Sequence, residues 1–417
     1  MRLLYTVLVY LLAPVALLAT MWRSRRGHGV HERWQERFGF TRARFEQAPI
    51  WVHAVSVGEV QASAVLVRAL QRRYPERPIL VTTGTSTGAG RVAALFGDSV
   101  AHAYLPYDLP GAARRFLDRV HPLMGIIMET EIWPNLYREC GRRAIPIVLA
   151  SARLSEKSVR RYGLLRSVTR AALERVRVAA QSPTDAERFR AIGAVHVEVV
   201  GNLKFDIEVP PDTVNAGRSW RAEWLAERPV WIAASTHEGE ESAALAAHRI
   251  VCERFPNALL VLVPRHPQRF TAVADSLRER RVRFATRSRQ EPVGPDTQVV
   301  LVDTLGELLM FYAAADVAFV GGSLVPIGGH TLLEPAAVEC PIIVGPYNFN
   351  APDIARLFLD NAAAIEVADA TALGEAVTRL LLDDEARVAM CARARAILEG
   401  NRGTLKRLLE IVQEAVG

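Results

Sequence analysis

The chain has 417 residues, more than a single hydrophobic core usually serves, so two domains are expected. Half of the residues are hydrophobic and 23% are charged, which excludes a disordered chain, a collagen and a coiled-coil rod. The net charge of +6 is a mild excess that suits anionic ligands without indicating nucleic acid, and the four cysteines show no spacing typical of a disulfide scaffold or a zinc site.

The chain starts with an apolar segment from Leu3 to Trp22, about twenty residues without a charge, close to the length that crosses the ~30 Å hydrocarbon core of a bilayer. One arginine precedes the segment and three follow it within four residues, so the positive-inside rule places the body of the protein on the cytoplasmic side. We predict a membrane anchor over residues 1–22. The alternative is a hairpin that lies on the membrane, or a buried helix, interrupted at Pro14.

The next stretch, from Arg23 to Phe45, mixes arginines with aromatic residues. Basic side chains beside a bilayer attract anionic lipid by ~1 kcal/mol each, and aromatic rings favour the membrane interface. This stretch is a candidate lipid-facing surface, and an ordinary solvated segment is the alternative.

From Pro49 onward, short apolar runs alternate with amphipathic helical patterns, which is typical of parallel sheets covered by helices. The strands predicted for the first half are IWVHAVS, ILVTTGT, VAHAYLP, LMGIIMET, IPIVLAS, VRVAAQS and VHVEVV. After Pro210 and Pro211 the alternation restarts, with strands predicted at VWIAAST, ALLVLVPRH, TQVVLVDT, DVAFVGGS, PIIVGP and AAIEVAD. We therefore predict an α/β fold with two doubly wound, Rossmann-like domains, 23–206 and 207–417, joined by a linker near 205–215. Ligands are expected in a cleft at the carboxyl ends of the strands.

Charged residues follow several predicted strands of the first half. Glu59 lies in the first turn of a helix, where the helix dipole stabilises a carboxylate that can accept a proton; plain helix capping is the alternative. Glu129 and Glu131 follow the fourth strand, where acids orient hydroxyls or cations or serve as structural hydrogen-bond acceptors. Lys204 follows the last strand and is one of only three lysines among 51 basic residues. A lysine in so arginine-rich a chain suggests an ammonium that binds a phosphate or a carboxylate. The alternative is that a lysine occurs at this position by chance.

The segment TTGTSTGAGRVAA has a superficial likeness to a dinucleotide fingerprint. The glycines of this segment lie far from the end of the preceding strand, and no acidic residue stands at the end of the next strand to bind a ribose. A nicotinamide site is therefore not favoured. We expect these glycines to let the backbone approach another ligand or the next domain.

The second half carries features of a nucleotide site. Arg265 ends a strand in VPRHP and is suited to bidentate binding of a phosphate. A helix start follows at Leu305, Gly306 and Glu307.

The most specific segment of the chain is FVGGSLVPIGGHTLLEPAA, from Phe319 to Ala337. Four glycines precede a helix near His330, so backbone N–H groups and the helix dipole are expected to cradle a phosphate. Glu334, one turn inside the helix, is suited to accept hydrogen bonds from the hydroxyls of a ribose. Together these features predict nucleotide binding.

Nine motifs, in this order, resemble those of the 3-deoxy-D-manno-octulosonic acid (Kdo) transferases: VHAVSVGEV, TTGTSTGAG, METEIWPNL, ASARLSEKSVRRY, QSPTDAERF, GNLKFD, VPRHPQRF, DTLGEL and GGSLVPIGGHTLLEPAA. The resemblance spans the whole chain, including the N-terminal anchor. It implies a GT-B glycosyltransferase of the cell inner membrane, with its catalytic body on the cytoplasmic side. The implied reaction moves Kdo from CMP-Kdo to a lipid A precursor (lipid IVA) in lipopolysaccharide biosynthesis.

The resemblance also implies roles for individual residues. Glu59 matches the family's general base, and Glu129 and Lys204 match positions that support the reacting centre. The implied CMP contacts are Pro264, Arg265, Leu305, Gly306, Glu307, Thr331, Leu332, Leu333 and Glu334. Thr331 departs from the Asn expected in a GGHNxxEP-type stretch, which removes an amide contact but not the backbone cradle. No metal is expected, since no carboxylates of DxD type are present, and no cofactor is expected besides the donor substrate.

Two alternatives share this architecture, namely a GT-B enzyme that uses a UDP-sugar and a nucleotide-sugar epimerase. A membrane-bound lipid-binding or scaffolding protein would account for the anchor and the basic stretch. It would not account for the glycine-rich segment.

Overall fold

The computed structural model describes residues 5–12, 31–224 and 228–416. The chain forms two compact units. The first comprises Met1–Asp206 together with Asn401–Gly417, and the second comprises Ile207–Gly400.

The first unit is built on a seven-stranded parallel sheet in the order β3-β2-β1-β4-β5-β6-β7. Its strands are β1 (Ile50–His53), β2 (Ile79–Thr83), β3 (Ala101–Tyr104), β4 (Met124–Met128), β5 (Ile147–Ala152), β6 (Val176–Ala180) and β7 (His196–Val199). The strand order reverses between β1 and β4, the switch point at which doubly wound sheets bind ligands. The strands predicted for this half are all present.

Helices cover both faces of this sheet. They are α1 (5–12), α2 (Val57–Arg73), α3 (Ser86–Phe96), α4 (Pro110–Val120), α5 (Pro134–Arg142), α6 (Glu156–Gly163), α7 (Arg166–Leu173), α8 (Pro183–Ala191) and, from the end of the chain, α17 (Thr404–Val416). Serine or threonine side chains cap the start of α2, α3, α6 and α8 by accepting a backbone N–H three residues on. Short 3₁₀ turns lie at His31–Phe38, Gly97–Ser99 and Leu203–Phe205.

Successive strand residues point to opposite faces, so the first unit has two core layers. Ile50 and Val52 of β1 belong to the layer that contains Leu66 of α2. Trp51, between them, belongs to the opposite layer and packs edge-on against Phe116 of α4. The continuous apolar pattern of β1 is therefore explained by burial on both faces.

The second unit repeats this plan with the strand order β10-β11-β9-β8-β12-β13-β14, all parallel. Its strands are β8 (Val230–Thr236), β9 (Leu259–Pro264), β10 (Phe284–Thr286), β11 (Val299–Leu301), β12 (Val317–Val320), β13 (Ile342–Val344) and β14 (Ile365–Glu366). Its helices are α9 (Pro211–Trp224), α10 (Glu240–Arg254), α11 (Phe270–Glu279), α12 (Leu308–Ala314), α13 (Leu333–Ala337), α14 (Pro352–Asp360), α15 (Ala370–Leu382) and α16 (Asp384–Asn401), with 3₁₀ turns at Pro267–Arg269 and Arg287–Arg289. The prediction of two doubly wound parallel sheets is confirmed. β10 was not predicted, because its three residues lie among arginines and form no apolar run.

The end of the chain differs from the expected domain 207–417, because α17 packs on the first unit. Leu408, Ile411 and Val412 join the core layer that contains β1 and α2. The Asp206 carboxylate accepts the N–H groups of Gly403 and of Leu405, at 2.8 and 2.6 Å. The amphipathic pattern of α17 shows that the helix has an apolar face, but not which of two similar sheets that face covers.

The expected anchor over residues 1–22 is described only at α1, and the rest of it lies outside the described residues. The Tyr5 hydroxyl donates a hydrogen bond to the buried Asp108 carboxylate at 2.8 Å, and Val9 packs near Leu109 and Ala112. Among the described residues, no helix combines the length and the apolar character needed to cross a bilayer. The anchor helix predicted from the sequence is therefore not found in the part of the chain that the structure describes.

We expect Leu408→Ala to loosen the first unit selectively. Leu408 is 0% exposed, and truncation of a buried leucine costs about 2–5 kcal/mol of unfolding free energy. In hydrogen–deuterium exchange, the backbone amides of β1 and α2 should exchange faster in the variant, and those of β8 and α10 should exchange at the parental rate. Leu382→Ala, at a leucine 54% exposed on α15, is the matched control. Faster exchange in the second unit instead would contradict the packing of α17.

Candidate active site

Glu59 lies between the end of β1 and the body of α2, and its carboxylate is held in a fixed position. It accepts the N–H of Val55 at 2.8 Å and the hydroxyl of Ser56 at 3.1 Å. The Ser56 hydroxyl in turn accepts the N–H of Glu59 and so caps the start of α2. Burial raises the pKa of Glu59, and the hydrogen bond from Val55 opposes this effect. The capping role suggested by the sequence is thus present, and the carboxylate is also more basic than an exposed glutamate.

Glu129 and Lys204 form an ion pair at the same edge of the sheet. Lys204 Nζ lies 3.1 Å from Glu129 Oε1, and both side chains are about one third exposed or less. Lys204 belongs to the 3₁₀ turn Leu203–Phe205, and the Leu203 N–H donates to the Ser151 hydroxyl at 3.2 Å. Ser151 therefore positions the turn that carries the lysine.

A third carboxylate, Glu131, completes the group. Burial, reinforced by the negative charge of Glu59, raises the pKa of Glu131 to about 7. Glu129 and Lys204 in turn act on the pKa of Glu59 in opposite directions. We call Glu59, Glu129, Glu131 and Lys204 the Glu–Lys cluster. The structure thus places the three predicted catalytic residues together and adds a fourth, which the sequence analysis noted without assigning it to catalysis.

In the second unit, the first part of the glycine-rich segment does not offer free backbone N–H groups. The buried Glu240, 1% exposed, accepts the N–H groups of Gly322, Ser323 and Leu324 at 2.7, 3.0 and 2.9 Å. The same carboxylate accepts the N–H of His237 at 2.9 Å. The N–H groups of residues 322–324 therefore cannot contribute to the predicted phosphate cradle, because a carboxylate about eighty residues upstream already accepts them.

The side chains near this segment are an arginine, which is positively charged, and histidines, which become positively charged when they are protonated. His237 and His330 are in contact through their Nε2 atoms at 2.9 Å, and the ring of His266 meets that of His237 edge-on. Arg265 directly follows β9, and its backbone N–H is held by Thr236 at 2.9 Å. We call His237, His266, His330 and Arg265 the His–Arg cluster.

Glu307 is anchored by a partner that the sequence analysis missed. Arg287 donates to both of its carboxylate oxygens, with Nη2 2.6 Å from Oε1, and the Thr304 hydroxyl also donates to the carboxylate. These hydrogen bonds, chiefly that from Arg287, lower the pKa of Glu307. Leu305, two residues earlier, is 71% exposed, so this loop presents an apolar side chain beside a fixed carboxylate.

The remaining predicted nucleotide contacts surround the start of α13. The exposed Thr331 accepts the N–H of Leu333 at 3.3 Å, so it serves as a local cap where we expected an asparagine. Leu332 and Leu333 are buried, which leaves only their backbone available to a ligand, and Glu334 is half-buried. Within the ranges that the structure describes, no group of three or more His, Cys, Asp or Glu side chains is arranged to hold a metal ion.

Comparison with known proteins divides the chain in the same way. Residues 32–207 match the family described as 3-Deoxy-D-manno-octulosonic-acid transferase (kdotransferase), and residues 229–397 match Glycosyl transferases group 1. The 3-deoxy-D-manno-octulosonic acid transferase of Haemophilus influenzae is 42% identical over 418 residues, which cover 99% of this chain and 98% of that protein. The chain belongs to the 3-deoxy-D-manno-octulosonic acid transferase family. It is a glycosyltransferase, and the resemblance seen in its motifs is confirmed.

Solved structures agree on the architecture. A glycosyltransferase of Rickettsia africae and a putative UDP-N-acetylglucosamine 2-epimerase of Listeria monocytogenes each match with a TM-score of 0.55 and 12% identity. They cover 89% and 88% of this chain and 99% and 96% of their own chains. At this identity the likeness concerns the fold alone, and a GT-B-like fold of two Rossmann-like domains is confirmed.

Three functional candidates escaped sequence reasoning for different reasons. Glu240 lies in THEGEE, where two acids at a helix start after a strand are a signal that we did not use. Arg287 is one of many arginines and carries no local signal. Ser151 lies inside an apolar strand, and its role depends on a bulge in β5 that only the structure reveals.

We expect Glu240→Gln to destabilise the second unit. An amide would set its own N–H₂ group against some of the four N–H donors, at a cost of about 2–3 kcal/mol of unfolding free energy. Denaturant unfolding measures this loss. The matched control is Glu238→Gln, whose side chain is 90% exposed and should change stability by less than about 0.5 kcal/mol. Equal stability of the two variants would show that the loop does not depend on this carboxylate.

Proposed function

We propose that this chain transfers Kdo from CMP-Kdo to a lipid A precursor, lipid IVA, with inversion at the anomeric carbon. The observation that carries the proposal is the 42% identity, over nearly the whole chain, to a protein named as a Kdo transferase. The Glu–Lys cluster and the His–Arg cluster supply the groups that such a reaction needs, a proton acceptor and cations for an anionic donor.

Glu59 is the proposed general base. It accepts the proton of an acceptor sugar hydroxyl while the hydroxyl oxygen forms a bond to the anomeric carbon of Kdo. The bond from that carbon to the phosphate oxygen breaks, and its electron pair leaves with CMP. A single displacement of this kind inverts the configuration. The fixed position of Glu59 and its raised pKa both support this role.

Glu129 and Lys204 are proposed to support the reacting centre. The Kdo anomeric carbon bears a carboxylate and, in the donor, a phosphate, so the reaction brings two anions beside an oxocarbenium-like carbon. The Lys204 ammonium offsets this negative charge, and the 3.1 Å contact with Glu129 holds it in place.

The second unit is proposed to bind CMP through residues at three strand ends. These residues are Pro264, Arg265, Leu305, Gly306, Glu307, Thr331, Leu332, Leu333 and Glu334. Arg265 has the chemistry to bind the phosphate, and Glu307 is held by Arg287 in an orientation that suits a polar edge of the nucleoside.

We further propose that the enzyme acts at the inner membrane with its catalytic body on the cytoplasmic side. The support comes from the sequence, in which an apolar segment precedes a group of arginines. A lipid acceptor would require such a location.

A direct assay separates this proposal from the two alternatives of similar fold. Purified enzyme is incubated with lipid IVA and either CMP-Kdo or a set of UDP-sugars, and product masses are read. We expect a mass increase of one or more Kdo units with CMP-Kdo and none with UDP-sugars. Transfer from a UDP-sugar alone, or epimerisation of a UDP-sugar, would overturn the proposal.

We expect Glu59→Gln to lower the rate of transfer by about 10²–10⁴-fold, because a general base contributes on that order. The dissociation constant for CMP should stay within about twofold, because Glu59 and the proposed CMP contacts belong to different units. Transfer kinetics and calorimetry measure the two quantities. Glu76→Gln, an exposed glutamate of the first unit, is the matched control and should retain full activity. Near-parental transfer by Glu59→Gln would exclude Glu59 as the base.

Substitutions at the two members of the ion pair, Lys204 and Glu129, should shift the pH–rate profile in opposite directions. The base must be ionised to accept a proton, so the rate rises with pH through its pKa. Burial is the main cause of the raised pKa of Glu59, while Glu129 raises it further and Lys204 lowers it. Lys204→Met should therefore move the acidic limb to higher pH, and Glu129→Gln should move it to lower pH. Because Glu59 and Glu131 interact, the pKa that the acidic limb reports is a property of both carboxylates together. The direction in which each variant shifts the limb is unchanged.

The matched control for the pH profile is Lys157→Met, which removes an exposed lysine on α6. Its acidic limb should coincide with that of the parent protein. If the acidic limbs of Lys204→Met and Glu129→Gln both moved in the same direction, the charge of this ion pair would not control the pKa of the base.

A further inference from the structure

Two histidines of the His–Arg cluster are in contact with each other, and the proposed mechanism gives neither of them an individual role. Nε2 of His237, directly after β8, lies 2.9 Å from Nε2 of His330, and the two rings are nearly parallel at an angle of 6°. We call these two residues the histidine pair. It lies between elements that carry proposed CMP contacts, since His330 precedes Thr331 and Arg265 acts on the pKa of both histidines.

The contact between the two Nε2 atoms limits how many protons the pair can hold. At this distance one Nε2 donates its hydrogen and the other accepts it. The pair is neutral when each ring carries one hydrogen, and singly positive when Nδ1 of the donating ring is also protonated. A doubly positive pair would set two N–H groups against each other. The geometry therefore permits the uptake of one proton and no more.

The surroundings keep the pair neutral near pH 7. Burial lowers the pKa of His330 to about 4, and it also lowers the pKa of His237. Neighbouring positive groups act in the same direction. The charged and titratable groups that face the pair are Arg265, His266, Arg269, Glu240 and Glu241.

Five backbone N–H groups of the glycine-rich segment near the pair are already used within the protein. Glu240 accepts the N–H groups of Gly322, Ser323 and Leu324. The N–H groups of Gly328 and Gly329 both donate to the Gly322 carbonyl, at 3.0 and 2.7 Å. Arg265 and the histidine pair are side chains that can supply positive charge and hydrogen bonds to a phosphate next to Arg265.

We infer that the His237–His330 pair, together with Arg265, binds the phosphodiester of the nucleotide donor and takes up one proton from solvent as it does so. The inference rests on the proposed function, which makes a CMP derivative the donor. It adds two residues to the donor site and gives the site a proton-linked affinity. The neutral pair avoids uncompensated positive charge before binding, and the protonated pair donates a charge-assisted hydrogen bond after binding.

The sign of the linkage follows from the charges. A phosphate against the pair offsets the effect of the surrounding cations and raises the pKa of the pair in the complex. Between the lower pKa of the free protein and the higher pKa of the complex, binding takes up a proton and affinity falls as pH rises. Above the higher pKa, affinity no longer depends on pH.

The probe is the methyl phosphodiester of cytidine 5′-monophosphate, whose single negative charge does not titrate near neutral pH. Calorimetric titrations of the full chain at pH 6.5, in two buffers with different heats of ionisation, give the number of protons taken up on binding. We expect a value clearly above zero and at most one. Binding without proton uptake would overturn the inference while leaving the proposed donor intact. If the probe did not bind and the enzyme did not transfer Kdo from CMP-Kdo, the proposed function would be overturned as well.

Variants assign the proton to the pair. The double variant His237→Gln/His330→Gln keeps hydrogen-bonding side chains that cannot be protonated, so it should abolish proton uptake and weaken binding at pH 6 by about tenfold. At pH 8 the loss should be smaller, because the pair contributes no charge there. His196→Gln, at an exposed histidine on β7 of the first unit, is the matched control and should retain uptake and affinity. Proton uptake that persists in the double variant would overturn the assignment.

Discussion

Left-handed backbone at strand ends shapes the carboxyl edge of both sheets. Glu129, Ser151 and Ser235 have φ values of 54°, 52° and 56°, a region that costs a non-glycine residue of order 1–3 kcal/mol. Ser151 and Ser235 coincide with breaks in strand register within β5 and β8. The strain is retained because the turns it creates have partners, such as the Leu203 N–H on the Ser151 hydroxyl.

The two units use charge in opposite ways at these edges. The first gathers three carboxylates around a single ammonium, so burial and mutual repulsion raise the pKa values of Glu59 and Glu131 and make them better proton acceptors. The second gathers histidines around Arg265, so burial and neighbouring cations lower the pKa values of the rings. One edge is suited to take a proton from a neutral hydroxyl, and the other to receive an anion.

The sequence predicted the strands well because short, continuous apolar runs are typical of strands buried on both faces of a parallel sheet. It also located Glu59, Glu129 and Lys204, since each lies within six residues of the end of a strand and the carboxyl ends of parallel strands share one edge. It failed where the decisive contact is remote in sequence. The segment GGSLVPIGG predicts free N–H groups, whereas the carboxylate that occupies them, that of Glu240, belongs to a helix on another part of the sheet. The sheet that α17 covers could not be predicted for the same reason.

Glu59 and Glu240 show what separates a candidate base from a structural acid. Each lies in the first turn of the helix that follows a strand at the switch point, and each accepts a backbone N–H from the preceding loop. A carboxylate has about four lone-pair positions. Glu240 accepts four N–H groups and is buried, so no position remains for a substrate proton. Glu59 accepts two hydrogen bonds and is only half-buried, which leaves lone pairs that a sugar hydroxyl can reach. The two carboxylates differ in how many acceptor positions the fold already occupies, and that number, rather than the local motif, decides which of them can act on a substrate.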